Sequence, residues 1–265
     1  MTNIGRVGLI GGSGWLGTAI AKALLNSDTI SIGQLTCSFR SGKPQNALPC
    51  VWTPDNKQLV ENSDIVILSV RPADWASVDI DATGKLIISV MAGVGVEEIK
   101  QRTGSSRVAR ALPNAAAEIG FSYTPFFIDS SDPGDRNIVG TLFASCGAVD
   151  TVSAEEYIDY FTAMSGSGAA FPALLAEAMM NHAVAQGLPP EIARRAAQQV
   201  LIGAGRLQEY NGVSPDETVK LFVDYQGTTT AGILAMREDG FEKAVNSGLD
   251  AAVRAAQLLS GKGSS

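Results

Sequence analysis

The chain is poor in the residues that most often carry chemistry unaided. It has one histidine, His182, and three cysteines, Cys37, Cys50 and Cys146, among 265 residues. One imidazole leaves little room for a Ser-His-Asp triad or a histidine-rich metal site. The cysteines stand far apart with no CxxC pair, so neither a disulfide framework nor a zinc site is expected, and the metal expectation is none. A reducing, cytoplasmic setting fits that usage. There is no cluster of Lys or Arg, and the net charge is -7. A nucleic-acid partner is therefore not expected, because such a surface must displace counterions from phosphates. No apolar run is long enough to cross a bilayer, and Met1 leads through a polar tripeptide straight into an apolar run without the pattern of a signal peptide. These absences point to a small-molecule partner and to a cofactor that brings its own reactivity.

What is present is an ordinary globular composition, 45% hydrophobic and 18% charged, on a chain long enough for two modest cores. Short apolar runs at 7–10, 34–38, 65–70, 86–90, 108–111 and 123–128 read as buried parallel strands. An Ala- and Leu-rich stretch at 18–25 supplies the crossover helix of a βαβ unit. Residues 1–152 are thus expected to form an α/β domain, a Rossmann-type doubly wound parallel sheet. From 153 the β-rich runs disappear, and helical spacing predicts helices at 170–186, 190–209, 214–223, 229–238 and 240–259, so that 153–265 forms an all-helical second domain. The closing 261–265 reads as a frayed tail.

Gly11-Gly12-Ser13-Gly14-Trp15-Leu16-Gly17 follows the first strand and opens the first helix, the context that a G-x-G-x-x-G dinucleotide motif requires. In that register Gly12 makes the tight turn, Gly14 lets a pyrophosphate approach the backbone, and Gly17 lets helix and strand pack closely, with the amides of Trp15 and Leu16 at the helix start. Gly11 allows a second register, shifted by one residue. An NAD enzyme would place Asp or Glu at the end of the second strand to bind the ribose hydroxyls. Here Ser38, Arg40 and Ser41 stand there, a guanidinium and two hydroxyls suited to a 2'-phosphate, which favours NADP(H).

Four further segments, 66–72 (VILSVRP), 88–93 (ISVMAG), 110–114 (RALPN) and 162–170 (TAMSGSGAA), with Gly227-Thr228-Thr229 about sixty residues later, resemble in order the pyrroline-5-carboxylate reductase family. The resemblance implies NADPH-dependent reduction of a cyclic imine, 1-pyrroline-5-carboxylate to proline, by a homodimer or larger homo-oligomer joined through the helical domain, which would also carry the substrate. It places Val70, Arg71, Pro72, Met91, Ala92 and Gly93 around the nicotinamide, with Asn114 beside the reactive end; Arg71 replaces the usual lysine. It assigns Ser165, Gly166, Ser167 and Gly168 to the substrate corner, where amides at a helix start suit a carboxylate. Thr162 matches the family's hydroxyl and is the candidate proton donor.

One stretch departs from the pattern. Where the family carries Ser-Pro-Gly-Gly-Thr-Thr, this chain has Asp224-Tyr225-Gln226-Gly227-Thr228-Thr229. Thr228 and Thr229 can still hold a polar substrate group. Asp224 takes the place of a carboxylate-binding serine, and a second carboxylate about 4 Å from the substrate's would cost roughly 1 kcal/mol in water-like surroundings and roughly 4 at an effective dielectric of 20. It can turn away, pair with Lys220, or bind an amine or hydroxyl of a different imine. A reductase of another cyclic imine and a catalytically silent NADPH-binding protein therefore stay open. A 3-hydroxyacid dehydrogenase lacks its usual lysine, because Pro172 stands at that position.

Overall fold

The computed structural model describes residues 4–45 and 47–259. The 261–265 tail lies outside them. They divide into two compact units, one comprising the residues up to Ser167 together with those from Ala252 onward, the other Gly168–Ala251.

The first unit is built on an 8-stranded sheet in the order β3-β2-β1-β4-β5-β6-β7-β8. Its strands are β1 (Val7–Ile10), β2 (Leu35–Ser38), β3 (Val51–Thr53), β4 (Ile65–Leu68), β5 (Leu86–Ser89), β6 (Arg107–Ala111), β7 (Ser122–Asp129) and β8 (Gly147–Thr151). The helices between them are α1 (Trp15–Asn26), α2 (Asn56–Glu61), α3 (Pro72–Trp75), α4 (Val96–Thr103) and α5 (Pro133–Ala144), and α6 (Glu156–Phe161) follows the last strand. The central strands β1, β4 and β5 are buried at every position and, but for Ser89, carry no polar side chain, as befits strands covered on both faces. Ile20 and Leu24 of α1 close one face over Leu9, Leu35 and Ile67, while Leu59, Ile87 and Ile99 belong to the core of the other. Strand order reverses beside β1, which opens the crevice where such sheets bind ligands, at the carboxyl ends of the strands.

The structure corrects the expectation of strands that are all parallel: β7 runs antiparallel to β6. The connection at 112–121 holds one short 3-10 turn, Ala115–Ile119, and is too short for the crossover that a parallel return needs. The sequence reading also missed β3 and β8. Both are edge strands with largely solvated positions, so neither writes an apolar run.

The second unit holds α7 (Ala170–Ala185), α8 (Pro190–Asn211), α9 (Pro215–Asp224), α10 (Thr228–Glu238) and the start of α11 (Phe241–Leu259). The breaks follow local chemistry: Gly187 and Gly212 take left-handed backbone at φ 90° and 62°, and Ser214 and Glu217 form a reciprocal cap at the head of α9. Only Ala176, Ala193 and Ala197 are buried in this unit. No helix among the described residues is long and apolar enough to cross a membrane.

Candidate active site

The loop between β1 and α1 is shaped by what its glycines leave out. Gly11 has φ +83°, so the left-handed turn falls on Gly11 rather than on Gly12, where it was expected. A Cβ on Gly17 would lie 2.4 Å from the Gly11 carbonyl oxygen, and one on Gly12 would lie 2.7 Å from Cβ of Cys37. The Gly14 amide donates to the Gly11 carbonyl at 3.0 Å, and the Thr18 hydroxyl donates to the Gly12 carbonyl at 3.0 Å. Gly14 caps α1 without a side chain, so the first amides of the helix, from Trp15, Leu16 and Gly17, meet no capping side chain. Trp15 is exposed and Leu16 half-buried. The turn is packed too tightly to admit a side chain at Gly12 or Gly17, and it leaves a helix start with free amides, a feature suited to an anion.

Ser38 and Arg40, paired in the sequence reading, do different things. Ser38 is buried, and its Oγ accepts from the Gly11 amide at 3.2 Å, so it braces the loop from β2. Arg40 and Ser41 are exposed at the strand end. The Arg40 guanidinium donates to Asp74 Oδ1 at 3.0 Å, and Arg71 Nε donates to Asp74 Oδ2 at 2.7 Å. The structure thus brings together two arginines assigned to opposite ends of a cofactor. Arg71, then Arg40, holds the Asp74 carboxyl below the usual carboxylate range. Asp74 escaped the sequence reading, although an acid in the first turn after Pro72 is a recognisable helix-start signal.

After β5, Met91 is buried, Ala92 and Gly93 are half-buried, and Gly93 turns the chain at φ +76°. Val70 is half-buried and Pro72 opens α3. Asn114 ties its own turn by accepting from the Ala116 amide at 3.0 Å, and its Nδ2 donates to the Ser165 carbonyl at 3.0 Å. That contact joins two predicted site segments 51 residues apart.

Thr162–Gly166 is a π-helical turn directly after α6, a widened helix of the kind often found at functional sites. Its hydroxyls turn back on their own helix: Thr162 Oγ1 donates to the Ile158 carbonyl at 3.1 Å and Ser165 Oγ to the Phe161 carbonyl at 3.2 Å. Ser167 makes a longer contact, 3.4 Å, to the Thr162 carbonyl. As the structure stands, Thr162 spends its proton on its own helix and offers lone pairs outward.

In the helical unit, Gly168 lies in the turn before α7, and Thr228 and Thr229 open α10, exposed, behind the side-chain-free cap Gly227. Of the fates open to Asp224, the structure shows the pairing with Lys220, at 3.6 Å and well exposed. Gln226 holds left-handed backbone at φ +56°, at a position where the family stretch has glycine. Left-handed backbone favours glycine, so Gln226 stands in a region that other residues adopt less readily.

Comparison with known proteins agrees with both halves. Residues 155–259 match the family model described as pyrroline-5-carboxylate reductase dimerisation, and 6–93 match the one described as NADP oxidoreductase coenzyme F420-dependent. A pyrroline-5-carboxylate reductase of Glycine max is 32% identical over 213 residues, covering 78% of this chain and 77% of the relative. Pyrroline-5-carboxylate reductase 3 of Rattus norvegicus is 29% identical over 97% of both chains. A pyrroline-5-carboxylate reductase structure from Coxiella burnetii superposes with TM-score 0.87 at 27% identity, covering 97% of this chain and 99% of that one. With its glycine cradle and its helical second unit in the same order as in these relatives, the chain belongs to the pyrroline-5-carboxylate reductase family.

Proposed function

We propose that this chain reduces the carbon-nitrogen double bond of 1-pyrroline-5-carboxylate to give proline, using NADPH. The observation that carries the reading is kinship to reductases of that name, to one of them at 32% identity over about three quarters of the chain. The cofactor fits the residues present: close packing around Gly11, Gly12 and Gly17 keeps the turn tight and the start of α1 free of a capping side chain, as a pyrophosphate needs, and Arg40 follows the second strand where a ribose-binding acid would exclude a 2'-phosphate. When bound, NADPH supplies the hydride. The chain's part is geometry and a proton.

In this reading the Gly14–Gly17 helix start holds the pyrophosphate, and Arg40 with Ser41 holds the 2'-phosphate, with Ser38 bracing the loop. Val70, Arg71, Pro72, Met91, Ala92, Gly93 and Asn114 shape the cofactor groove. Ser165, Gly166 and Ser167 are the substrate-binding residues that the first unit offers, and Gly168, Thr228 and Thr229 are those that the second unit offers. The imine carbon accepts the hydride and the nitrogen takes a proton relayed through the Thr162 hydroxyl, which recovers one from solvent as it gives its own; to do so the hydroxyl exchanges the Ile158 carbonyl for that nitrogen at a cost of about 1 kcal/mol, the usual net worth of one hydrogen bond. An iminium is already electrophilic, so no stronger acid is needed.

The protein acts as a homo-oligomer, in its simplest form a dimer. α7 carries a single charge, Glu177, in sixteen residues, and Phe171, Leu174 and Met179 leave it apolar on all sides yet exposed in one chain. A helix of that kind is stable when covered. The three cysteines are unpaired, which accords with a cytoplasmic protein.

Asp224 favours a second reading, an imine without a carboxylate at that corner. NADPH consumption with pyrroline-5-carboxylate, unsubstituted pyrroline and piperideine carboxylates separates the two, in wild type and Asp224→Ser. The first reading expects the five-membered carboxylate to be preferred and improved by the substitution. Preference for the uncharged ring supports the second, and tight NADPH binding with no turnover would leave a silent cofactor-binding protein.

A further inference from the structure

Two arginines of β6 are held in ion pairs at opposite ends of the strand. Arg107, at the amino end, pairs with fully buried Asp135 of α5. Arg110, at the carboxyl end, is 1% exposed and donates to Glu155 Oε1 at 2.8 Å and Asp159 Oδ1 at 3.0 Å. Glu155, the cap residue before α6, has helical backbone, and Asp159 of α6 lies four residues on, so the two share one face. Only a planar fork spans both carboxylates; a lysine would reach one.

Glu155 has a second partner. Its Oε1 also accepts from the Val96 amide at 2.9 Å, at the head of α4, whose cap Gly95 has no side chain for the purpose. A Cβ on Gly95 would lie 3.5 Å from the same oxygen. One buried guanidinium therefore ties three segments together. These are the strand that runs on to Asn114, the 91–95 loop, and the helix that becomes the Thr162–Gly166 turn. Each segment carries residues that the reductase reading sets around the reacting atoms, while Arg110, Glu155 and Asp159 are not among them. A buried ion cluster gives little stability over apolar packing of the same volume, so stability alone is a poor reason for its presence.

We infer that Arg110 is a positioning residue for the reduction site, fixing the Thr162–Gly166 turn against the 91–95 loop through Glu155 and Asp159. For its kinetic consequence the inference rests on the reductase reading; for its structural consequence it does not.

The test compares Arg110→Met with Arg107→Met, the matched loss at the other end of the strand, in the full chain. Both are expected to lower the thermal midpoint. Arg110→Met alone is expected to lower kcat/KM for the imine by roughly a hundredfold, the scale of a misplacement of about 1 Å, with NADPH affinity held within about threefold. It is also expected to speed amide exchange at 162–167 by about tenfold, which Arg107→Met does not. Arg110→Lys, keeping the charge and one of the two contacts, falls between. Equal effects of the two Met variants on kcat/KM and on exchange, or no effect of Arg110→Met on either, overturn the inference. Should wild type reduce no imine, the reductase reading falls, and the exchange comparison decides the positioning role by itself. Should Arg110→Met fail to fold, Glu155→Gln and Asp159→Asn take its place, and unchanged exchange at 162–167 in both would overturn the inference.

Discussion

The sheet unit and the helical unit are both rich in apolar side chains, yet they use them in opposite ways. In the first, Leu9, Leu24, Ile67 and Phe143 are sealed at 0% exposure, and each α/β layer closes over its neighbour. In the second, three alanines are all that is buried, while Leu174 and Leu221 stand 64% and 70% exposed. Small side chains let α7 and α8 approach closely, which leaves the larger ones pointing outward. Apolar composition thus makes a core only where the chain can fold back on itself in layers. Where it cannot, the same residues stay exposed, and they form the surface that the proposed homo-oligomer would cover.

The sharpest way to break this contrast is to disturb each unit where it depends most on shape. Gly17→Val places side-chain atoms against the Gly11 carbonyl, and NADPH affinity should fall by more than about a hundredfold, on the scale of a lost pyrophosphate site. Isothermal titration checks it, and the helical content by circular dichroism should stay. Next in size, Leu24→Ala should cost about 3 kcal/mol at any protein concentration, because the cavity lies inside one chain. Leu174→Asp should instead shift the sedimenting species toward monomer and make the thermal midpoint depend on concentration. A monomeric wild type would remove that half of the contrast.

Acid should separate the units as well. Burial pushes the Asp135 carboxyl up, but hydrogen bonds from Arg107 and Ser130 outweigh it and hold the group below its ordinary value. A depressed carboxyl contributes stability that is complete above its unfolded value of about 3.9 and is lost as pH falls through the folded value. The sheet unit should therefore lose stability below about pH 4, and Asp135→Asn, destabilised at neutral pH, should show a flatter acid limb in urea titrations. The smallest effect belongs to Ser214→Ala, which removes the cap of α9 and should cost about 1 kcal/mol, read in the helical unit only.

Much of this architecture could be read before folding. The glycine spacing at 11–17 and the helical periodicity after 170 announce themselves locally, since each depends on neighbours a few residues away. β3 and β8 stayed hidden because edge strands need no unbroken apolar run, and the reversal at β7 depends on a connection length that no single strand reveals. Near the site, the strand-to-helix context placed the glycine turn after β1 and Arg40 just past β2, which is where the structure has them. Asp74 was not, for it matters only when two loops converge on it. Arg110 was harder still: its charges lie 45 and 49 residues downstream, and an Arg in a strand otherwise looks solvated.

The cap that Glu155 gives to α4 bears on the order in which the protein is made. As the chain leaves the ribosome, all eight strands emerge before residue 155 does, and until then the head of α4 lacks its acceptor and Arg110 its counter-ions. A fragment cut at the end of the last strand would carry that deficit permanently. Any autonomous nucleotide-binding piece should thus extend at least through α6, and translational pausing just before it would catch a sheet that is complete in outline but not yet locked.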